Sequence, residues 1–350
     1  MDDETILKLS NISRRTILKV VGAGVGALAI GSALPEFSAE AATFYKGADI
    51  SWLPQMEANG YVFYNASGVE QDLLTILKSY GINAIRLRTW VNPSSDPANG
   101  HCSEAETVAM AVRCKNAGFP VDIDFHFGDT WNSLGVQNPP AAWASMTYSQ
   151  MLTAMYNYVY HFMNDLKANG VTPTWVQIGN EINSGICLPT GSLAHQPAQM
   201  TGLLNAAYAM VKEVFPSTQV LIHLAQPQNI SVIENFLDTY KANGGNWDIT
   251  AFSSYGSGSS TISGIISDIS TIKTRYGKPV MQVEFGGAEN RASRTETDLE
   301  SYITGMKSIG GLGVFYWEPE GYSPFTSYAL GAWDPTTKRP TVALNGFLNA

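Results

Sequence analysis

Two glutamates carry the chemistry that this sequence could perform. Glu181 closes the run Trp175-Val176-Gln177-Ile178-Gly179-Asn180-Glu181, and Glu284 closes Val280-Met281-Gln282-Val283-Glu284. A carboxylate at the end of a short apolar run is costly unless water or a hydrogen bond meets its charge. Two of them facing one cavity are the equipment for glycoside hydrolysis, in which one carboxyl protonates the departing oxygen and the other acts at the anomeric carbon. Asn180, next to Glu181, adds an amide able to hydrogen-bond a sugar hydroxyl.

For these groups to converge, the runs that carry them must lie in one sheet. Eight short runs rich in Val, Ile, Phe and Tyr alternate with longer segments of helical periodicity, the pattern of βα units around a parallel sheet. The candidate strands are Phe44 to Trp52, Asn83 to Trp90, Pro120 to Phe127, Thr174 to Glu181, Gln219 to Ala225, Asp248 to Tyr255, Pro279 to Phe285 and Gly311 to Trp317. Eight such units predict an α/β chain folded as a single (β/α)8 TIM barrel, whose active site sits at the C-terminal ends of the strands. Glu70 to Tyr80 and Met151 to Asn169 show one apolar face each and are predicted as helices coating the barrel.

The barrel is expected over residues 42–350. Residues 1–41 differ in kind: Ser13-Arg14-Arg15-Thr16 is followed by a weakly apolar run from Val20 to Leu34 and by Ala39-Glu40-Ala41. This order predicts a twin-arginine export signal cut after Ala41, since the apolar run is too short to span a bilayer. The exported chain would be released from the membrane, either outside the cell or in the periplasm.

The whole chain has 350 residues and a net charge of −9, and losing residues 1–41 would leave −8. That sign disfavours nucleic acid and anionic membrane as partners. A neutral sugar substrate fits better, because it is gripped by aromatic faces and directional hydrogen bonds. Three cysteines allow at most one disulfide, with Cys102 and Cys114 the expected pair and Cys187 left over. No CxxC, HExxH or His/Cys cluster is present, so neither cofactor nor metal is expected.

Gly47-Ala48-Asp49-Ile50-Ser51, Ile85-Arg86-Leu87-Arg88-Thr89-Trp90-Val91-Asn92-Pro93, Asp124-Phe125-His126-Phe127-Gly128-Asp129-Thr130-Trp131, Gly179-Asn180-Glu181-Ile182-Asn183 and Gly313-Val314-Phe315-Tyr316-Trp317-Glu318-Pro319 resemble the arabinogalactan endo-β-1,4-galactanases of glycoside hydrolase family 53. The likeness runs from about Gly47 to the C-terminus. It implies a retaining hydrolase of plant β-galactan, with Glu181 as acid/base, Glu284 as nucleophile and Asn180 on the sugar 2-hydroxyl. Retention itself requires carboxyls roughly 5 to 5.5 Å apart.

The resemblance further implies that Arg86 and Tyr255 hold Glu284 ionised and aimed. Arg88 falls on the same side of its strand by alternation, so Arg86 is the choice of the two rather than a result of spacing. His126 and Asp129 would line the sugar cleft and Trp317 would form the platform beneath the sugar. Trp90, Trp131 and Trp333 are further stacking candidates, and Asp49 and Glu318 are additional strand-end acids near the substrate.

Three loops depart from the family's pattern. Phe285-Gly286-Gly287-Ala288, Tyr255-Gly256-Ser257-Gly258 and His223-Leu224-Ala225-Gln226-Pro227 follow the seventh, sixth and fifth runs. Acids after the seventh run are too spread out for the calcium site of some relatives. The rival readings are another β-glycanase of the same clan, a β-1,4-glucanase or mannanase, and an exported sugar-binding barrel without turnover. The active unit is expected to be a monomer.

Overall fold

A computed structural model describes residues 43–94 and 101–350; the expected export signal lies outside the described residues. Eight parallel strands close on themselves: β1 (Tyr45–Asp49), β2 (Ala84–Thr89), β3 (Val121–Phe125), β4 (Trp175–Ile178), β5 (Gln219–Ala225), β6 (Ile249–Ser253), β7 (Val280–Phe285) and β8 (Gly313–Trp317). Each lies within its predicted run, and β8 pairs with β1 to seal the barrel, Asp49 opposite Trp317. Helices follow the strands and pack outside them, giving the (β/α)8 barrel that the alternation of periods predicts.

Helix boundaries follow capping chemistry. The first predicted helix begins at Leu73, because Asp72 takes the Thr75 N–H and leaves Glu70 and Gln71 outside. The second begins earlier than predicted, at Tyr148, because Thr147 and Gln150 form a capping box. Among the described residues no helix is long and apolar enough to cross a membrane.

Inside the barrel, two layers have opposite character. The lower plug is apolar, with Ala84, Trp175, Leu221, Ile249 and Phe315 buried together. Gly47 belongs to this packing: a Cβ there would stand 2.1 Å from the Phe315 ring, so only glycine lets that ring fill the axis. The upper layer is polar and charged: Asp49, Asp124 and Gln177 are fully buried and hydrogen-bonded to Arg86, and Asp122 beside them meets, among the described residues, only the Arg86 guanidinium, at 4.0 Å. Such groups persist in a low-dielectric interior only as a hydrogen-bonded network. The apolar plug thus supports a charged floor for the strand-end site.

The cysteines correct the expected disulfide. All three thiols are free and buried. Cys102 precedes the helix Glu104–Asn116 and Cys114 lies in its last turn. The ten residues from Glu104 to Cys114 rise about 15 Å along the helix, and Cys102 lies beyond its start, so the two thiols are far beyond the reach of an S–S bond.

Candidate active site

Residues at the C-terminal rim take up backbone conformations that non-glycine residues rarely adopt. Phe127, Glu181, Gln226 and Glu318, just beyond β3, β4, β5 and β8, have φ of 52°, 50°, 58° and 46°. Backbone strain of this kind collects at functional sites. Gly179 starts the turn that delivers Glu181: its φ is 94°, and a Cβ would lie 2.6 Å from Ile182. Beside Glu284 the ladder slips, since Phe252 pairs with Gln282 but Ser253 pairs with Glu284. The extra residue in β7 is a bulge, a device that re-aims the side chain next to it.

Glu284 is buried, and its two oxygens have different partners. Oε1 accepts from Arg86 at 3.0 Å, and Oε2 accepts from the Tyr255 hydroxyl at 3.0 Å. Tyr255 leaves 40% of its surface exposed while turning this hydroxyl inward. Burial, with the Glu284 charge beside it, raises the Tyr255 phenol well above its usual value, so it remains a donor.

Arg86 is the hub of the floor. Its guanidinium also donates to Asp49 and Asp124, each at 2.8 Å, and to Gln177 and Asn180, each at 3.0 Å. Sharing one cation has a consequence that the sequence did not disclose. Burial pushes Glu284 up to about 8, and Arg86 pulls against this without reversing it. The expectation that Arg86 and Tyr255 keep Glu284 readily ionised is therefore corrected: they aim the carboxyl, but desolvation outweighs them. Arg88 instead pairs with Glu318, and its guanidinium lies 4.5 Å from the Trp131 ring centre.

Glu181 is partly exposed and is held by different donors. Its Oε2 accepts the Leu134 backbone N–H at 2.9 Å, and its Oε1 accepts the Ser253 hydroxyl at 2.5 Å. The Asn180 amide is oriented by its oxygen, which accepts from Arg86, from Gln177 and from His223 Nδ1 at 2.9 Å. Its nitrogen donates to the Asn132 carbonyl at 2.9 Å, which leaves one N–H of the amide for another acceptor. Burial, reinforced by Arg86, holds His223 well below its usual value. It is the neutral imidazole that donates through Nδ1.

Four sequence expectations need correction. His126 is 3% exposed. Its Nε2 lies 2.9 Å from Asp124 and its Nδ1 accepts the Asn132 N–H, so it braces the floor rather than lining the cleft. Asp129 spends its two oxygens on the backbone N–H groups of Asn92 and Ala141, tying two loops together. Trp90 and Trp333 are 1% and 0% exposed and offer no face to a sugar. Trp131 and Trp317 are only partly buried and meet edge to face, with ring centres 5.7 Å apart. Asp49 lies beneath the site, bound to Arg86 and Ser51.

Several contributors were missed. Asp124, Gln177 and His223 carried a signal, being polar residues inside otherwise apolar strands. Ser253 and the Leu134 N–H carried none, because their importance comes from a register slip and loop geometry.

A closed (β/α)8 barrel whose strand ends present two differently held glutamates, an oriented amide and two partly exposed tryptophans defines a glycoside hydrolase. The chain belongs to glycosyl hydrolase family 53, whose model matches residues 45–334. It is 32% identical over 308 residues to a probable arabinogalactan endo-β-1,4-galactanase A of Aspergillus fumigatus, covering 80% of this chain and 85% of that protein. It is 29% identical to an endo-β-1,4-galactanase of Bacillus subtilis, covering 79% of this chain and 70% of the other. Among solved structures, a family 53 catalytic domain from Ignisphaera aggregans superposes with a TM-score of 0.80 at 29% identity, covering 87% of this chain and 95% of that one. A fungal β-1,4-galactanase superposes at 0.78 with 26% identity, covering 87% and 99%.

Proposed function

We propose that the protein is a retaining endo-β-1,4-galactanase acting on plant β-1,4-galactan or type I arabinogalactan, with Glu284 as nucleophile and Glu181 as acid/base. The observation that carries the assignment is the unequal burial of the two carboxyls and the different donors that hold them: a cation and a phenol on Glu284, a backbone N–H and a serine hydroxyl on Glu181. Glu284 is buried and fixed at both oxygens by Arg86 and Tyr255, as a group that must attack one carbon from one direction should be. Glu181 is open to the cleft, as a group that exchanges protons with a leaving oxygen and then with water must be.

In the first step a Glu284 oxygen bonds to the anomeric carbon as the glycosidic C–O bond breaks, and Glu181 gives its proton to the departing oxygen. In the second, Glu181 takes a proton from water, the hydroxide attacks the anomeric carbon, and Glu284 leaves. The free N–H of Asn180 is available to the sugar 2-hydroxyl, and Trp317 and Trp131 offer ring faces to pyranose C–H bonds. Neither step calls for a cofactor or metal. The substrate is carried by the named relatives, whose similarity extends over most of the chain. Arg14-Arg15 and the Ala39-Glu40-Ala41 site support export through the twin-arginine route, and the mature chain acts as a monomer.

The test incubates the mature chain, Glu181→Gln and Glu284→Gln with linear β-1,4-galactan, cellulose and mannan derivatives. Short galacto-oligosaccharides from the wild type alone are expected. Cleavage of glucan or mannan in preference to galactan would overturn the substrate, and ordinary activity in either mutant would overturn its residue's role.

A further inference from the structure

Ser253 is 2% exposed at the end of β6 and pairs across the ladder with Glu284, yet its hydroxyl turns to the other glutamate, 2.5 Å from Glu181 Oε1. The opposite oxygen of Glu181 is committed to the Leu134 N–H, a donor that cannot reverse. A hydroxyl differs from an amide in that it can rotate, donating or accepting as its partner requires. We infer that Ser253 is a positioning residue for acid catalysis, holding Glu181 Oε1 toward the leaving oxygen and stabilising the carboxylate that forms as its proton departs.

The inference rests on Glu181 being the acid/base. With Oε2 bonded to the Leu134 N–H, the transferable proton sits on Oε1. As that proton moves to the glycosidic oxygen, the C–O bond breaks and negative charge develops on Glu181, where the Ser253 O–H donates to it. Ser253 itself gains and loses no proton. Hydrogen bonds to a charged acceptor are about twice as strong as neutral ones, so this contact strengthens along the reaction coordinate. An interaction of that kind raises the rate rather than uniform substrate binding. The ionisable groups interacting with Glu181 from the neighbouring strand ends are Glu284 and Tyr255. In this step Glu284 gives up its charge to the glycosyl ester and Tyr255 stays a neutral phenol, so the Ser253 O–H is the side-chain donor that meets the charge arriving on Oε1.

The test compares wild type and Ser253→Ala on two substrates: linear galactan, whose leaving alkoxide needs a proton, and 2,4-dinitrophenyl β-galactobioside, whose leaving phenolate does not. kcat/KM reports the first step for both. Ser253→Ala should lose about tenfold to a hundredfold on galactan and change less than about threefold on the activated substrate. Ser253→Thr, which restores a hydroxyl, should remove the difference between substrates even if it lowers both values. Equal losses on the two substrates would mean a structural role and overturn the inference, as would an unimpaired Ser253→Ala. A wild type inactive on galactan would strike the substrate reading, whereas equal losses strike only the role of Ser253.

Discussion

Arg86 and Glu284 meet at 3.0 Å across the floor of the barrel mouth, but Arg86 also binds Asp49 and Asp124 at 2.8 Å. One guanidinium therefore offsets several buried carboxylates, and none receives its full field. Burial leaves Glu284 at about 8 despite this contact. Because attack needs the ionised form, kcat/KM should rise with pH along an acid limb well above that of an ordinary glutamate, about 4.3. Arg86→Lys keeps a charge but loses the planar fork. It should lower kcat/KM by about a hundredfold or more and move that limb to still higher pH, because a weaker cation favours the carboxylate less. A limb that stays in place, measured from pH 4 to 10, would separate Arg86 from the titration of Glu284.

The same burial makes Glu284 a cost to the fold. Its folded value, about 8, lies above the unfolded one, so the native state binds the proton more tightly. The associated stability is complete below about 4.3 and is lost as pH rises through about 8. Glu284→Gln cannot ionise and escapes this loss. The difference in Tm between Glu284→Gln and wild type should therefore grow in favour of the variant between pH 5 and pH 8.5, by at least about 2 °C. Asp122, also raised to about 8 by burial, is present in both proteins and cancels in the comparison. A constant difference in Tm would show that Glu284 carries no such cost.

Hydrophobic periodicity revealed the eight strands because burial on both faces leaves continuous apolar runs, and the two glutamates stood out as charges at the ends of such runs. Exposure was not legible in the same way. Trp90, Trp131, Trp317 and Trp333 are one residue type in the sequence, and only packing separates the two partly exposed rings from the two buried ones. His126 and Asp129 lay at the right end of the right strand, but loop contacts consume their polar atoms. The contact between Ser253 and Glu181 depends on a bulge in β7, which interrupts the period-two pattern used to assign strand faces.

The tryptophans can be sorted by measurement. Trp317→Ala should raise KM for galacto-oligosaccharides about fivefold to tenfold, as expected for the loss of about 1 kcal/mol of ring contact. Trp333→Ala leaves a cavity at a fully buried position and should cost about 3 to 5 kcal/mol of stability. Its KM should stay close to wild type at a temperature where it remains folded. A large KM change for Trp333→Ala would place that ring against substrate.

Among the described residues, one group of His and acidic side chains lies close enough to share an ion: Glu104, His161 and Asp165. None of these belongs to the loop after β7, where Glu289 and Arg291 bound a short 3-10 turn. Prolonged treatment with a calcium chelator should leave activity and Tm unchanged. Activity lost to the chelator and restored by calcium would locate a required ion and overturn the expectation of metal-free catalysis.

Thiol chemistry gives an independent check on the packing of the second βα unit. Cys102, Cys114 and Cys187 are 2%, 0% and 0% exposed, and burial pushes each thiol up to about 12. The thiolate is the reactive form, so both access and ionisation oppose reaction. The native protein should therefore show no thiol reactive toward a disulfide reagent at pH 8, and all three should react in guanidinium chloride without prior reduction. Only one thiol after denaturation would mean that two cysteines are joined. Since Cys102 precedes the helix and Cys114 lies in its last turn, that result would also require Cys187 in the pair or a different fold for this segment.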